Sequence, residues 1–344
     1  MKFLVEKENM FNGLKIVERA TVLKGLQPVL ANILIEASAP NKLKFSATDF
    51  DLSIITEIDA QIEEEGQITL PAKKLMDIIS RVNDSLISFE LKDNTMVVTN
   101  DKTKFEIIGI SASEFPKIEG VTSTAEEIEI ELEPFTKAIK EAAFAAAGYE
   151  TNNLLSGVVC NIDKNVLEIA STDGNRLARA RKIVTNSDNK TIQLIVPSKV
   201  LQEFLKMSYL MDDENVKLFV ERTRIMIKSG RTKIISRLME GQYPKYNQLI
   251  PTTFPKEAKI NVDMIIKSLE KVSTMVNEKT SIVKFEFTQN NLSLKADTPE
   301  AGNSEDQIDI IYNGEDITIA FNYRYLLDCF KNIDSEVVIK YLST

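Results

Sequence analysis

Apolar residues recur at helical spacing in six stretches of the chain. In one of them, Leu75, Ile78, Ile79 and Val82 follow the i, i+3, i+4, i+7 pattern that places side chains on one face of a helix. Pro71 stands just before this stretch, where its fixed φ suits a helix start. The same spacing predicts six amphipathic helices, over residues 8–24, 72–82, 135–148, 198–208, 263–279 and 323–332.

Between these stretches, apolar and polar residues alternate, as they do in strands that expose one face. Ile128, Ile130 and Leu132 alternate with glutamates in the segment 127–133. This alternation favours a half-exposed strand over an acidic metal site. Polar clusters at 83–84 and 92–94 are typical of turns. The chain is therefore predicted to be α+β, with antiparallel sheets and two helices laid on one side of each domain.

The chain repeats itself three times. Residues 43–49 (LKFSATD) are echoed by 167–173 (LEIASTD) and, more weakly, by 292–298 (LSLKADT). A segment that begins a helix recurs at 70–73, 196–199 and 321–324. A segment that closes the copy recurs at 115–117 and 243–245. The offsets of 124 to 128 residues are far longer than the repeat unit of a solenoid. They predict three tandem domains, at 1–121, 122–250 and 251–344.

Composition removes several classes of chemistry. The 344 residues contain no histidine, so the usual general base and zinc ligand near neutral pH is absent. Two cysteines, Cys160 and Cys329, are too few for a zinc site or a disulfide framework, and their apolar and helical surroundings predict burial. None of the 12 glycines has the spacing of a P-loop or a dinucleotide-binding turn.

The hydropathy of the chain indicates where in the cell the protein is located. The chain has no apolar run near the roughly 18 residues that a membrane span requires. Charged residues interrupt the segment 1–6 before a signal-peptide core develops. Both observations predict a cytoplasmic protein.

Charge is distributed unevenly along the chain. The net charge of −9 argues at first against a nucleic-acid partner. The six helical windows carry +1, +2, +1, +1, 0 and +1 in chain order, so the rest of the chain carries −15. An acidic body with mildly basic helices suits a protein that meets DNA phosphates along its helices. Lysines on any solvated helix face would give the same count, so charge by itself leaves both interpretations open.

The order of the repeated segments resembles the bacterial DNA polymerase sliding clamp, the beta subunit of the replicative polymerase. The resemblance covers the whole chain and rests on residues 27–32 (QPVLAN), 171–178 (STDGNRLA) and 240–246 (EGQYPKY). It implies a non-catalytic DNA sliding clamp without cofactor or metal. Two three-domain subunits would join head to tail into a ring, with sheets outside and twelve helices around double-stranded DNA. Such a ring gives processivity by tethering the replicative polymerase, and it serves a clamp loader and other replication and repair proteins.

The resemblance also implies three sets of functional residues. A groove for partner peptides, between the second and third domains, would be formed by Leu154, Leu155, Thr172, Gly174, Asn175, Arg176, Leu177, Pro244, Leu249, Asn322 and Tyr325. The positions that approach DNA in the family correspond to Lys24, Tyr149, Asn153 and Lys199. The dimer interface would involve Lys74, Lys104 and Phe105 of one subunit with Thr274 and Met275 of its neighbour.

Within this groove, Leu155, Leu177 and Leu249 are expected to form one apolar subsite. It would take the leucine and phenylalanine of a Gln-x-x-Leu-Phe peptide, the kind that the family recognises. Each such side chain offers about 1.5–3 kcal/mol before ordering costs, which predicts micromolar affinity. Arg176 is expected to be a rim charge, whose loss costs little in water. Without the resemblance, the leucines are better explained as core and Gly174 as a turn.

The third copy departs from the family pattern. In the first copy 46 residues follow Pro71 as far as Lys117, whereas 22 residues follow Asn322. The difference of about 24 residues corresponds to roughly three strands with their turns. We therefore expect a truncated third domain with an unpaired sheet edge, an incomplete groove wall and weaker dimerisation.

Two other function classes stay open on the residues alone. Asp49 and Asp173 occupy equivalent repeat positions and could meet as the carboxylate pair of a bilobal hydrolase. Their order is Thr-Asp-Gly instead of the Asp-Thr-Gly of aspartic proteases, and Phe50 replaces the glycine in the first copy. The other class is a repeat-built scaffold that never touches DNA. Retention on circular DNA, with loss on linearisation, separates a clamp from both.

Overall fold

A strand that leads directly into a helix opens each copy of the repeat. The computed structural model describes residues 1–22, 27–148, 153–185, 190–211, 213–277, 280–298 and 302–341. Its helices are α1 (Lys7–Val17), α2 (Ala72–Arg81), α3 (Leu132–Ala142), α4 (Ser198–Met207), α5 (Val262–Val272) and α6 (Tyr323–Phe330). Across these ranges, all six predicted helices are confirmed, two in each copy.

The strands fall into the same three groups. The first copy contains β1 (Lys2–Glu6), β2 (Asn32–Ser38), β3 (Lys42–Thr48), β4 (Leu52–Asp59), β5 (Gln61–Glu64), β6 (Gly66–Pro71), β7 (Leu86–Lys92), β8 (Thr95–Asn100) and β9 (Thr103–Ile108). The second contains β10 (Glu126–Glu131), β11 (Gly157–Asp163), β12 (Val166–Thr172), β13 (Leu177–Ile183), β14 (Thr191–Pro197), β15 (Asn215–Val220), β16 (Arg224–Ser229) and β17 (Thr232–Arg237). The third contains β18 (Lys256–Asn261), β19 (Ile282–Thr288), β20 (Asn291–Thr298), β21 (Gly302–Asp309), β22 (Ile317–Asn322) and β23 (Glu336–Tyr341).

The helices form where the sequence pattern places them, but several are shorter than their predicted windows. In α2, Leu75 and Ile79 are buried while Lys73 and Lys74 are exposed, as the amphipathic pattern requires. Helices α1 and α5 are each followed by one 3₁₀ turn. Beyond those turns the chain is extended at Thr21 and at Val276, so neither helix continues.

Antiparallel sheets complete the α+β fold. The strand orders are β5-β1-β7-β8-β9, β10-β15-β16-β17-β4-β3-β2-β6, β13-β12-β11-β14, β18-β23 and β21-β20-β19-β22. The pairs whose register the structure defines are antiparallel, as predicted. In β10, Ile128 and Ile130 are buried, and Lys217 on β15 pairs with Glu127 and Glu129. These glutamates therefore belong to a half-exposed strand, and the described residues contain no cluster suited to a metal ion.

One sheet continues from the first copy into the second. Strand β17 pairs with β4 along its length, from Thr232 opposite Thr56 to Ser236 opposite Leu52. The buried hydroxyls of Thr56 and Thr232 hydrogen-bond at 2.8 Å. This pairing joins two four-stranded halves into an eight-stranded sheet and gives the junction a continuous backbone ladder.

The chain divides into two units that do not coincide with the three copies. The first unit contains Met1–Ile139, Val159–Glu168 and Arg181–Gly241. The second unit contains Lys140–Val158, Ile169–Ala180 and Gln242–Thr344. All the groove candidates lie in the second unit, because it combines the third copy with two segments of the second. The boundaries at 121 and 250 stay predictions.

The third copy has fewer strands after its second helix. Three strands follow α2 and three follow α4, whereas one described strand, β23, follows α6. In the first copy, the stretch 109–117 that follows β9 is linker and not strand. Within the described residues β23 pairs on one side only, with β18. Phe285, Phe287 and Tyr312 fill the core of this copy.

The two cysteines differ in environment. Cys160 is buried on β11, and burial raises the pKa of its thiol to about 12. Cys329 on α6 is only partly buried, and burial raises the pKa of its thiol against the opposing charge of Arg176. The prediction of burial is therefore confirmed for Cys160 and only partly correct for Cys329.

Candidate functional site

The loop between β12 and β13 is shaped by its own side chains. The Asp173 Oδ1 atom accepts hydrogen bonds from the backbone N–H groups of Asn175 and Arg176, at 2.9 and 3.0 Å. The Thr172 hydroxyl accepts the N–H of Gly174 at 3.1 Å and donates to the carbonyl of Arg176. Gly174 has φ +92°, a left-handed conformation that favours glycine. The Thr-Asp-Gly-Asn string thus encodes a tight turn that projects the following residues.

The phenol of Tyr243 hydrogen-bonds to this loop. Its phenol accepts the backbone N–H of Thr172 at 3.1 Å and donates to the carbonyl of Gly157 at 3.2 Å. Burial raises the pKa of the phenol, a group that is already protonated and able to donate at neutral pH. Through Tyr243, the segment 240–246 that the sequence marks as a motif therefore stabilises the loop between β12 and β13.

Arg176 is the central cation of the site, and it is not a rim charge. Its guanidinium pairs with Asp173 at 3.1 Å and with Asp328 on α6 at 2.8 Å. It also donates to the carbonyl of Phe144 at 3.2 Å and stacks over the ring of Tyr325, 4.6 Å from the centroid. The side chain is only 18% exposed. The expectation of a solvated rim charge is wrong, because Asp328, Tyr325 and Phe144, all distant in the sequence, contact the guanidinium.

The apolar groove candidates differ in how far they are exposed. Leu154 and Leu155 lie half-buried in a 3₁₀ turn, and Leu177 is half-buried at the start of β13. A Cβ atom at Gly174 would lie 4.0 Å from Leu155, in ordinary contact. Leu249 is 74% exposed at the end of the 3₁₀ turn Tyr246–Leu249. These side chains offer apolar surface that a peptide could cover.

The remaining groove candidates stand on defined local structure. Asn322 caps α6 by accepting the N–H of Arg324 at 3.0 Å. Pro244 and Asn175 are exposed. The described contacts join Thr172 to Gly174 and to Arg176, and Arg176 to Tyr325. Leu155 lies beside Gly174, whereas Pro244, Leu249 and Asn322 share the unit without a described contact to these residues.

Two of the four DNA-binding candidates can be described. Asn153 is exposed and caps the turn at 154–156 by accepting the N–H of Leu155 at 2.9 Å. Lys199 lies at the start of α4 and forms an ion pair with Asp49. Lys24 and Tyr149 lie outside the described residues.

The interface candidates lie on three separate elements. Lys74 is exposed on α2, and β9, at the edge of its sheet, carries Phe105 together with the exposed Lys104–Glu106 ion pair. Ile108 on the same edge strand is 77% exposed. Thr274 and Met275 lie in the 3₁₀ turn after α5, where the carbonyl of Met275 accepts the hydroxyl of Thr298 at 2.7 Å.

Each of the two repeated aspartates pairs with a cation and accepts two backbone N–H groups. Asp49 pairs with Lys199 and accepts backbone N–H groups of its own loop. In the second copy, Asp173 pairs with Arg176 and likewise accepts two backbone N–H groups of its own loop. Each carboxylate therefore stabilises its own loop, through one ion pair and two hydrogen bonds.

Comparison with known families covers nearly the whole chain. The family models of the DNA polymerase III beta subunit match in order: the N-terminal domain at residues 1–119, the central domain at 129–245 and the C-terminal domain at 247–343. The chain belongs to the family of the DNA polymerase III beta subunit. The beta sliding clamp of Synechocystis sp. is 31% identical over 97% of this chain and 91% of its own length.

Solved structures agree with this family. A DNA polymerase III beta subunit from Eubacterium rectale is 30% identical, with a TM-score of 0.86 over 100% of this chain and 93% of that one. A sliding clamp from Bartonella birtlesii, solved with griselimycin bound, is 27% identical with a TM-score of 0.89 over the same shares. The resemblance stated from the sequence and the three-domain α+β fold are thereby confirmed.

Membership decides between the function classes left open by the residues. The DNA polymerase III beta subunit is a DNA sliding clamp, a non-catalytic processivity factor in DNA replication, so the hydrolase and scaffold alternatives are wrong. Within the described ranges, no helix has the length and apolar character needed to cross a membrane.

Sequence reasoning missed three residues that organise the site. Asp328, Phe144 and Tyr243 contact Arg176 or the loop around Thr172. Tyr243 had a signal, because it belongs to a repeated segment. Phe144 and Asp328 had none, since each lies on an ordinary helical pattern.

Proposed function

We propose that two copies of this chain form a head-to-tail ring around double-stranded DNA. The ring acts in the cytoplasm, is loaded by a clamp loader, and tethers the replicative polymerase and other motif-bearing replication and repair proteins. The observation that carries the proposal is the threefold repeat of one domain, each copy matched by its own family model. Three domains per chain, at 1–121, 122–250 and 251–344, give six domains in the ring.

The groove in the second unit is the proposed site for partner peptides. The Arg176 network holds the loop at 172–177 against α6, so the apolar surface of Leu155 and Leu177 is presented on a fixed frame. A fixed frame lowers the ordering cost of binding an extended peptide. We assign the eleven groove residues named from the sequence to this role.

Lys24, Tyr149, Asn153 and Lys199 are proposed to approach the DNA backbone. Contacts to phosphate position DNA without reading its sequence, so sliding requires no base preference. The Lys199–Asp49 pair would have to weaken for Lys199 to meet a phosphate. We therefore expect Lys199 to contribute less to DNA contact than an unpaired lysine would.

Topological retention is the test of the ring. The protein loaded by an ATP-dependent clamp loader onto nicked circular DNA should stay bound, and cutting the circle should release it, because an encircling ring slides off a free end. Gel filtration of the loaded DNA before and after restriction measures the bound fraction. Binding that survives cutting would show a gripping protein and not a ring.

Dimerisation gives a second prediction. Ile108→Asp on the edge strand β9 should weaken the dimer at least tenfold, because a buried interfacial position would receive an unpaired charge. Sedimentation velocity over a concentration series measures the dissociation constant. Ile183→Asp, at an isoleucine that is also 77% exposed but on β13, is the matched control and should leave the dimer intact. A wild-type chain that stays monomeric at high micromolar concentration would contradict the proposed homodimer.

A further inference from the structure

The loop that frames the peptide groove is built a second time, in the first copy. There the Asp49 Oδ1 atom accepts the N–H groups of Asp51 and Leu52, at 3.1 and 2.7 Å. The Thr48 hydroxyl accepts the N–H of Phe50 at 3.1 Å. The residues at equivalent positions in the second copy make the same three backbone hydrogen bonds. The chain therefore has two loops of one design.

The residue at the tip of the first-copy loop is unusual. Phe50 has φ +76°, at the position where the second copy has Gly174 at φ +92°. A bulky residue is disfavoured in this left-handed region, and this one gains little from burial because it is 52% exposed. An aromatic ring held in a costly conformation and turned to solvent is better explained by a contact with a partner than by folding.

A cavity of about 240 Å³ lies beside this loop, entirely within the first unit. Phe50 and the linker residues Pro116 and Ile118 form its apolar walls. Pro116 belongs to the segment 115–117, the repeat counterpart of 243–245 in the peptide groove. Strands β16 and β17 also line it, through Arg224 at the start of β16 and Ile235, Ser236 and Arg237 at the end of β17. We name this cavity the junction groove.

Cations outnumber carboxylates in the junction groove. Lys117, Arg224 and Arg237 line it together with Asp51 and Glu119. Arg224 pairs with Glu119. Besides this pairing with Arg224, the charges of Lys117 and Arg237 also act on the Glu119 carboxylate and lower its pKa. Three cations therefore face two carboxylates, so the groove keeps a net positive charge that complements a negatively charged occupant.

We propose that the junction groove is a second peptide-binding site, and that its occupant is a short acidic segment of a partner protein. One apolar side chain of that segment lies against Phe50 and Ile118, while its carboxylates meet Lys117 and Arg237. The proposal goes beyond the proposed function and rests on it only for the idea that this loop design serves peptides. A partner bound at both grooves would gain affinity by avidity.

The test uses the full chain and a fluorescein-labelled peptide, Gly-Asp-Asp-Leu-Asp-Gly, followed by fluorescence anisotropy. We expect saturable binding with a dissociation constant of about 10–100 μM. Arg237→Glu should weaken it at least tenfold by reversing a facing charge. Phe50→Gly should weaken it at least fivefold while raising the melting temperature, because glycine suits φ +76° and the aromatic surface is removed.

Two variants are controls. Arg222→Glu changes an exposed arginine in the turn before β16 that does not line the cavity, and it should leave binding unchanged. Leu177→Asp, in the other groove, should also leave it unchanged, so failure here is distinguishable from failure of the proposed function. Absent binding, equal binding of the lysine peptide Gly-Lys-Lys-Leu-Lys-Gly, or displacement by a Gln-x-x-Leu-Phe peptide would overturn the proposal. Binding of oligo(dT) that is lost in Arg237→Glu and Phe50→Gly would assign the groove to nucleic acid instead.

Discussion

Leu177→Asp is expected to abolish binding of a Gln-x-x-Leu-Phe peptide to the full chain. Leu177 is half-buried at the start of β13, directly after the loop fixed by Asp173 and Arg176. The substitution removes apolar surface worth about 1.5–3 kcal/mol and requires a carboxylate to be desolvated when the peptide docks. Together these effects should weaken a micromolar interaction at least 100-fold.

Fluorescence anisotropy with labelled peptide measures this loss. Ile183→Asp is the matched control, because it makes the same kind of change at an exposed position on the same strand. Circular dichroism should show both variants folded. Unchanged affinity in a folded Leu177→Asp protein would place the peptide site elsewhere.

Arg176→Ala is expected to loosen the second unit as well as the groove. The substitution removes the ion pairs with Asp173 and Asp328, the hydrogen bond to Phe144 and the stack on Tyr325. Since the guanidinium is largely buried, its loss leaves acceptors without a partner and should cost about 2 kcal/mol. For a unit of this size the melting temperature should fall by about 4–8 °C.

Differential scanning calorimetry and hydrogen exchange measure this effect. Amides at 172–177 and in α6 should exchange faster in Arg176→Ala, and a double-mutant cycle with Asp328→Ala should show coupling between the two side chains. Arg222→Ala, at an exposed arginine, serves as the control. A melting temperature equal to that of the wild type would show that Arg176 contributes no more to stability than a solvated rim charge does.

The local elements could be predicted because their signals are short-range. The spacing of Leu75 and Ile79 defines α2, and the alternation of Ile128 and Ile130 defines β10, since one face of each element is buried. The turn at 172–176 is also local, because Thr172 and Asp173 bond backbone groups two to four residues away. Such patterns require no knowledge of what packs against them.

The environment of Arg176 could not be predicted in this way. Its partner Asp328 is 152 residues away, and a surface arginine and a bridging arginine look alike in sequence. The joining of β4 to β17 had no local signal either, because both strands alternate as any sheet strand does.

By itself, the sequence determined that one α+β domain occurs three times, that two helices and antiparallel strands form each copy, and which family the chain belongs to. These conclusions depend on periodicity, repeats and motif strings, which are properties of neighbouring residues. Only the tertiary structure decided that Arg176 bridges Asp173, Asp328 and Tyr325, and that Phe50 stands beside a cationic cavity. The physical reason is that burial and charge pairing depend on which distant residues the fold brings together.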